Sequence, residues 1–186
     1  MHVALIHYPV VNRKHEIIGS AVTNLDLHDI ARASKTYGVA TYWVVTPDAS
    51  QQHLVSQISD HWTTGHGGRV NPDRSAALSL IRICSTLDEV IDNITGSSGR
   101  KSKPLVVATS ACGNQVNVSF SSLRHELADE GGGVVVLLFG TAWGLAPSVM
   151  DQVDLVLPPV KGAGIFNHLS VRSAVSIVLD RLLGCV

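Results

Sequence analysis

The sequence predicts a doubly wound α/β domain, a parallel sheet with helices on both faces. Two observations carry this. Six short runs rich in Val, Ile and Leu, at residues 3–7, 40–46, 78–84, 105–108, 134–139 and 155–157, are continuously apolar, as strands buried on both faces are. Between them lie segments with helical spacing of apolar residues, and an alternation of strand and helix implies a parallel sheet.

The helical segments are 25–37, 51–62, 87–94, 122–130 and 169–183. Gly38 closes the first and Gly96 the third, since glycine tolerates the left-handed conformation that ends many helices. Ser85, three residues before Asp88, reads as a cap at the head of the third, and Pro147 suits a first helical turn. Residues 63–73, TTGHGGRVNPD, and 96–103 read as loops. Neither divides the chain, and no internal repeat is present, so residues 1–186 are expected to form a single domain.

Hydrophobic residues make up 45% and charged residues 16% of 186, which fits a globular protein with apolar surface to spare for an oligomer interface. The formal net charge of -1 supplies no overall electrostatic footprint for nucleic acid, so RNA binding would need a local basic face. Arg13 with Lys14, Arg32 with Lys35, and Arg100, Lys101 and Lys103 are the available clusters. Cys84, Cys112 and Cys185 have no C-x-x-C spacing, which argues against a disulfide framework or zinc knuckle and for reduced thiols. The start lacks a basic segment followed by an apolar core, and no run of roughly 18 apolar residues occurs. A cytoplasmic protein that neither spans a membrane nor requires a metal is expected.

In open parallel sheets, ligands bind beyond the carboxyl ends of the strands. The segments there are Thr109 to Asn114, Gly140 to Leu145, and Pro158 to Gly164 leading into Asn167, His168, Leu169 and Ser170. Small residues and glycines let backbone groups approach a flat ligand closely, and equally make tight connections. Neither G-x-G-x-x-G nor a P-loop is present, so dinucleotide binding and NTP hydrolysis lose their usual marks.

The run LLFGTAWGLAPSVMDQVDLVLPPVKGAGIFNHLSVRSAVSIVLDRLLG, from Leu137 to Gly184, resembles the C-terminal half of SPOUT, or α/β-knot, methyltransferases. The segment from Asn24 through Arg32 to Gly38 is similar to the asparagine-to-arginine helix motif of that class. The whole chain, including HYPVVNRKHEIIGSAVTNLDLHDIARASKTYG, looks like a small bacterial family of RNA methyltransferases within it. The resemblance implies a C-terminal trefoil knot, S-adenosylmethionine as cofactor, an RNA substrate, tRNA or rRNA, and a homodimer. It places the cofactor against Thr109, Ser110, Gly140, Trp143, Gly144, Leu157, Pro158, Leu169, Ser170 and Ser173, mostly through main chain. It sets Arg32 at the methyl-acceptor site with Asn24 at the same helix start. Many relatives carry an acidic residue two places after the glycine matching Gly140; here that position is Ala142, in a loop one residue shorter.

Arg32 could simply be a surface cation; in the motif it suits orientation of a phosphate by its forked guanidinium, and is a poor general base. His28, one turn before it, and His168, between a ligand loop and the last helix, are imidazoles that could take a proton from the acceptor or could be structural. Thr109, Ser110, Ser170 and Ser173 could be caps as well as cofactor contacts. Trp143 reads equally as a core anchor or an adenine neighbour, and Asn167 as a cap or a substrate contact. A bulky residue at Gly140 is expected to fill ligand space and leave the fold intact, and the Val, Ile and Leu residues of 169–183 are expected at a dimer interface. A non-catalytic module that binds RNA or a nucleotide-like metabolite is the alternative, favoured by Ala142 and the near-neutral charge. A hydrolase using Ser110 or Cys112 lacks both a G-x-S-x-G elbow and a base.

Overall fold

The computed structural model describes residues 1–97, 103–111, 115–128 and 133–185. The chain opens with β1 (His2–Ile6), a short antiparallel ribbon of β2 (Val10–Val11) and β3 (Ile17–Ile18), then α1 (Asn24–Thr36) and β4 (Thr41–Val45). Three helices follow, α2 (Ala49–Thr63), α3 (His66–Val70) and α4 (Pro72–Leu78), before β5 (Ile81–Cys84) and α5 (Leu87–Ser97). The second half runs β6 (Leu105–Thr109), α6 (Phe120–Ala128), β7 (Val135–Gly140), α7 (Pro147–Met150), β8 (Leu155–Leu157) and α8 (Val171–Leu183).

The six principal strands form one parallel sheet in the order β5-β4-β1-β7-β6-β8. All six expected strands are present. From β1 the chain winds outward through β4 to β5 on one side, and β7, β6 and β8 fill the other. The reversal falls between β1 and β7, whose register pairs His2 with Val136 and Ile6 with Gly140. Crevices for ligands open at such a point.

Alternate residues of each strand enter two cores. Val3, Leu5, Tyr42, Val44, Val107, Leu137 and Leu157 face one, closed by Leu27 and Ile30 of α1 and Val175, Val178, Leu179 and Leu182 of α8. Ala4, Ile6, Trp43, Val45, Val106, Val136 and Leu138 face the other, closed by Val90 and Ile94 of α5 and Val149 of α7. The sheet is therefore covered on both sides, as its unbroken apolar runs require.

Several expectations need correction. Residues 63–73 are largely helical, because the glycines serve close packing: a Cβ on Gly67 would sit 2.7 Å from Trp62 Cε3, and one on Gly68 2.5 Å from the Trp62 carbonyl oxygen. Residue 78 ends α4 and does not begin a strand; Asn71 Oδ1 accepts from Arg74 N at 3.0 Å and Pro72 occupies the first turn. The cap of α5 is Thr86, whose Oγ1 accepts from Glu89 N at 3.2 Å, while Ser85 N donates to the Glu89 carboxylate at 2.7 Å. Gly96 lies inside α5, whereas Gly38, at φ 70°, does close α1. Of the apolar residues of 169–183, Val175, Val178, Leu179 and Leu182 are spent on the core, each at most 2% exposed, whereas Leu169 is 47% exposed. Arg100, Lys101, Cys112 and the end of the segment 122–130 lie outside the described residues.

Candidate functional site

Because β7, β6 and β8 are neighbours in the sheet, the segments that follow them emerge side by side along its carboxyl edge. Thr109 ends β6, and its Oγ1 donates to Leu138 O at 3.0 Å, tying that exit to β7; Ser110 follows directly. Asn167 Nδ2 donates to Ala111 O at 3.2 Å, joining the segment after β8 to the one after β6. Ser170 caps α8: its Oγ accepts from Ser173 N at 3.3 Å and lies 3.0 Å from Ser173 Oγ. Capping thus occupies one lone pair on Ser170. Leu157 is fully buried, and Pro158 is half-buried.

The loop after β7 is pinned from the opposite side by the β2 segment. Val11 N donates to Gly144 O and Trp143 N donates to Val11 O, each at 3.0 Å, and Ala146 N donates to Pro9 O at 3.2 Å. Gly144 has φ 114° and Ala142 φ 52°. Aspartate adopts that left-handed conformation more readily than alanine does, so the backbone is not the reason an acidic residue is missing at Ala142. A Cβ on Gly140 would lie 2.8 Å from Leu145 N and 3.0 Å from Gly144 C. This corrects the expectation that Gly140 only leaves room for a ligand: the close approach first serves the loop's own backbone.

Around this edge the surface is unusually apolar. Trp143 is 63% exposed, Phe166 77% and Leu169 47%, and Ile165 is fully exposed. Trp143 is therefore not a core anchor. His168 is exposed, with its ring 5.3 Å from that of Phe166.

Arg32 and Asn24 are exposed on α1, and no side-chain hydrogen bond or ion pair holds Arg32 among the described residues. His28 instead packs edge-on against Trp62, ring centroids 5.4 Å apart, with the Arg74 guanidinium 4.5 Å over the same indole. Burial, then Arg74, lower its pKa from the ordinary imidazole value. Packing against α2 and α4 accounts for this position without any role at the acceptor.

Two groups invisible to sequence reasoning join distant parts of the chain. His7, fully buried just past β1, has Nδ1 2.9 Å from Ser20 Oγ, which lies 2.5 Å from Thr141 Oγ1; Thr141 in turn donates to Ile6 O at 3.1 Å. Ser20 Oγ also lies 3.5 Å from His7 O, and the buried Nε2 of His7 has no hydrogen-bond partner among the described residues. Burial lowers the His7 pKa accordingly. The second group is Arg172 in the first turn of α8, which bridges Asp26 and Asp29 of α1 at 3.3 Å each.

Residues 1–184 match a family model described as SAM-dependent RNA methyltransferase. A protein of Oleidesulfovibrio alaskensis named tRNA (guanine-N(1)-)-methyltransferase is 44% identical over 184 residues, 99% of this chain and 42% of that protein. A Nitratidesulfovibrio vulgaris protein of the same name is 42% identical over 184 residues, again 99% of this chain and 42% of its own length. The chain thus spans about two fifths of these two relatives. An Aquifex aeolicus protein of undefined function is 39% identical over 180 residues, 97% of this chain and 86% of that one. Among solved structures, the SpoU methyltransferase AviRb from Streptomyces viridochromogenes, in complex with AdoMet, aligns with TM-score 0.60 at 15% identity, covering 98% of this chain and 56% of that chain. A probable methyltransferase from Bordetella pertussis aligns with TM-score 0.61 at 16% identity, covering 97% and 92%. At such identities these alignments establish the shared fold.

Proposed function

Given that the chain belongs to the SAM-dependent RNA methyltransferase family, we propose that it transfers a methyl group from S-adenosylmethionine to a nucleotide of RNA, tRNA by the names of its relatives. The observation that carries the proposal is the side-by-side exit of the segments after β6, β7 and β8 at one sheet edge, beside the serine-capped head of α8. Thr109, Ser110, Gly140, Trp143, Gly144, Leu157, Pro158, Leu169, Ser170 and Ser173 would hold the cofactor, largely through main-chain groups. Exposed Trp143 offers a face for the adenine, and the threading of these segments would form the knot. S-adenosylmethionine supplies an electrophilic methyl on sulfur, and the chain's residues supply alignment and proximity.

Arg32, exposed and uncommitted, would position an RNA phosphate, with Asn24 and Asn167 beside the acceptor. His168 is the better placed of the two candidate bases, being exposed at the rim of the cofactor segments, whereas His28 is committed to Trp62. The working unit would be a homodimer joined through the exposed apolar residues Leu25, Ile165, Phe166 and Leu169, acting in the cytoplasm as one domain over residues 1–186. No helix among the described residues is long and apolar enough to cross a membrane.

Titration calorimetry with S-adenosylmethionine, followed by transfer of labelled methyl to RNA from a strain lacking the protein, tests this. Saturable binding and incorporation into one nucleoside are expected. Binding of RNA with no cofactor affinity would favour the non-catalytic module.

A further inference from the structure

On the other side of the β7 loop, beyond the carboxyl ends of β1 and β4, lies a cavity of about 380 Å³ lined by Tyr8, Gly19, Ser20, Thr46, Asp48 and Gln51, with Ala21 and Pro47 at its walls. None of these residues belongs to the cofactor segments. Its volume is at the small end of the range for ligand pockets, about 300–1,000 Å³, and suits one nucleoside better than a dinucleotide. It shares a wall with the cofactor edge, because Ser20 lines it and hydrogen-bonds Thr141, the residue after Gly140, at 2.5 Å.

Its chemistry is selective. Tyr8 lines the cavity and is 43% exposed, so its ring is not consumed by the core. Asp48 Oδ1 accepts from Ser50 N at 2.8 Å, Ser50 Oγ at 2.6 Å and Gln51 N at 3.3 Å, while its Oδ2 carries no hydrogen bond among the described residues. Those bonds, the Ser50 hydroxyl's foremost, hold the Asp48 carboxyl below the usual range, so it is anionic at neutral pH. Among the described residues, no lysine or arginine lines the cavity. A phosphate is thereby repelled, and a neutral ring that offers N–H donors is favoured.

We infer that this cavity receives an RNA base adjoining the acceptor nucleotide, unstacked from its neighbours, with Tyr8 stacking on the ring and the free oxygen of Asp48 accepting from an exocyclic amino group. Splayed-out bases are read in this way, by stacking on an aromatic ring and by hydrogen bonds to their edges. Adenine, cytosine and guanine carry the amino group, whereas uracil offers the carboxylate only its ring N3–H, so a preference for the other three bases over uridine follows. The inference rests on the proposed methyl transfer for its biological meaning, and its test does not.

The full chain is irradiated with a mixed-sequence single-stranded RNA, and the cross-linked peptides are mapped by mass spectrometry, for the wild type and for Tyr8→Ala, Tyr8→Phe and Asp48→Asn. Cross-links at Tyr8 or the 46–51 segment are expected. Tyr8→Ala should weaken RNA binding about 5- to 150-fold, the effect of losing one base stack, and Tyr8→Phe should restore it. Asparagine caps helices as well as aspartate does, so Asp48→Asn should keep the fold and erase the preference over poly-uridine. S-adenosylmethionine affinity should be unchanged in all three variants. Cross-links confined to other segments, or RNA binding unaltered by both Tyr8→Ala and Asp48→Asn, would overturn the assignment. A wild type that cross-links at Tyr8 but transfers no methyl would sink the methyltransferase activity and leave the base-binding cavity standing.

Discussion

Arg172 Nη1 lies 3.3 Å from Asp26 Oδ1, and this contact fastens the head of α8, which carries Ser170 and Ser173, to the first turn of α1, which begins at Asn24. Asp26 is 8% exposed at its side chain, and Thr23 donates to its other oxygen at 2.6 Å, so both oxygens are engaged. Removing the arginine leaves a nearly buried carboxylate short of a partner. Arg172→Ala should destabilise the fold by about 1.5–3 kcal/mol, the range for hydrogen bonds to charged groups. A double-mutant cycle with Asp26→Asn in urea denaturation should give a coupling of the same sign; purely additive effects would show that the ion pair contributes nothing.

Gly140→Ala should already be damaging, because the added carbon meets Leu145 N at 2.8 Å, and backbone cannot swing aside as a side-chain end can. The expected loss is roughly 1–3 kcal/mol, as for other overpacked sites. S-adenosylmethionine affinity should fall with it, since the loop must shift. Thermal unfolding and calorimetry on the same variant separate the two effects; unchanged stability with lost binding would restore the simpler view that Gly140 only clears ligand space.

Arg32→Ala should leave stability within about 0.5 kcal/mol, as surface changes away from special features do, because the guanidinium is exposed and unpaired among the described residues. Methyl transfer should fall about 30- to 1000-fold, which corresponds to a lost contact of roughly 2–4 kcal/mol. Lysine should rescue partly, since a point charge cannot reproduce a forked contact. Full activity in Arg32→Ala would move the acceptor assignment to His168.

Acid should weaken the fold through His7. Its pKa is lowered by burial, so the unfolded chain takes up the proton more readily than the native one. The stabilisation is complete above the unfolded value of about 6.5 and is lost progressively as pH falls through it. Urea midpoints should decline from pH 7.5 to 5.5, and His7→Asn should flatten that slope. A His7→Asn variant with the wild-type pH dependence would locate the effect elsewhere.

Self-association should run through the apolar rim. Phe166→Glu and Leu169→Glu place charges on residues 77% and 47% exposed, so they should convert a sedimenting dimer to monomer without loss of helix content. A wild type that remains monomeric at high concentration would remove the dimer from the proposal.

The order of strands and helices was legible because each signal is local: unbroken apolar runs for strands buried on both faces, Gly38 after α1, Pro147 at the head of α7. The segments that leave the carboxyl ends of the strands were legible for the same reason, as glycines and serines placed directly after strands. Thr63 to Asp73 misled because glycine reads as a turn, and only the indole of Trp62 lying against Gly67 reveals that glycine there permits contact. The period of residues 169–183 announced an apolar face without saying whether the sheet or a partner would cover it; the sheet does.

By itself, then, the sequence determined the α/β class, the succession of elements and the family, since all three are written in neighbouring residues and their spacing. Only the tertiary structure decided which distant groups meet. It joined Ser20 to Thr141 across 121 positions, tied Arg172 to Asp26 across 146, and turned His28 toward Trp62. Such pairings depend on the strand order, which places β7 beside β1 and brings α8 against α1; no local pattern of side chains encodes that neighbourhood.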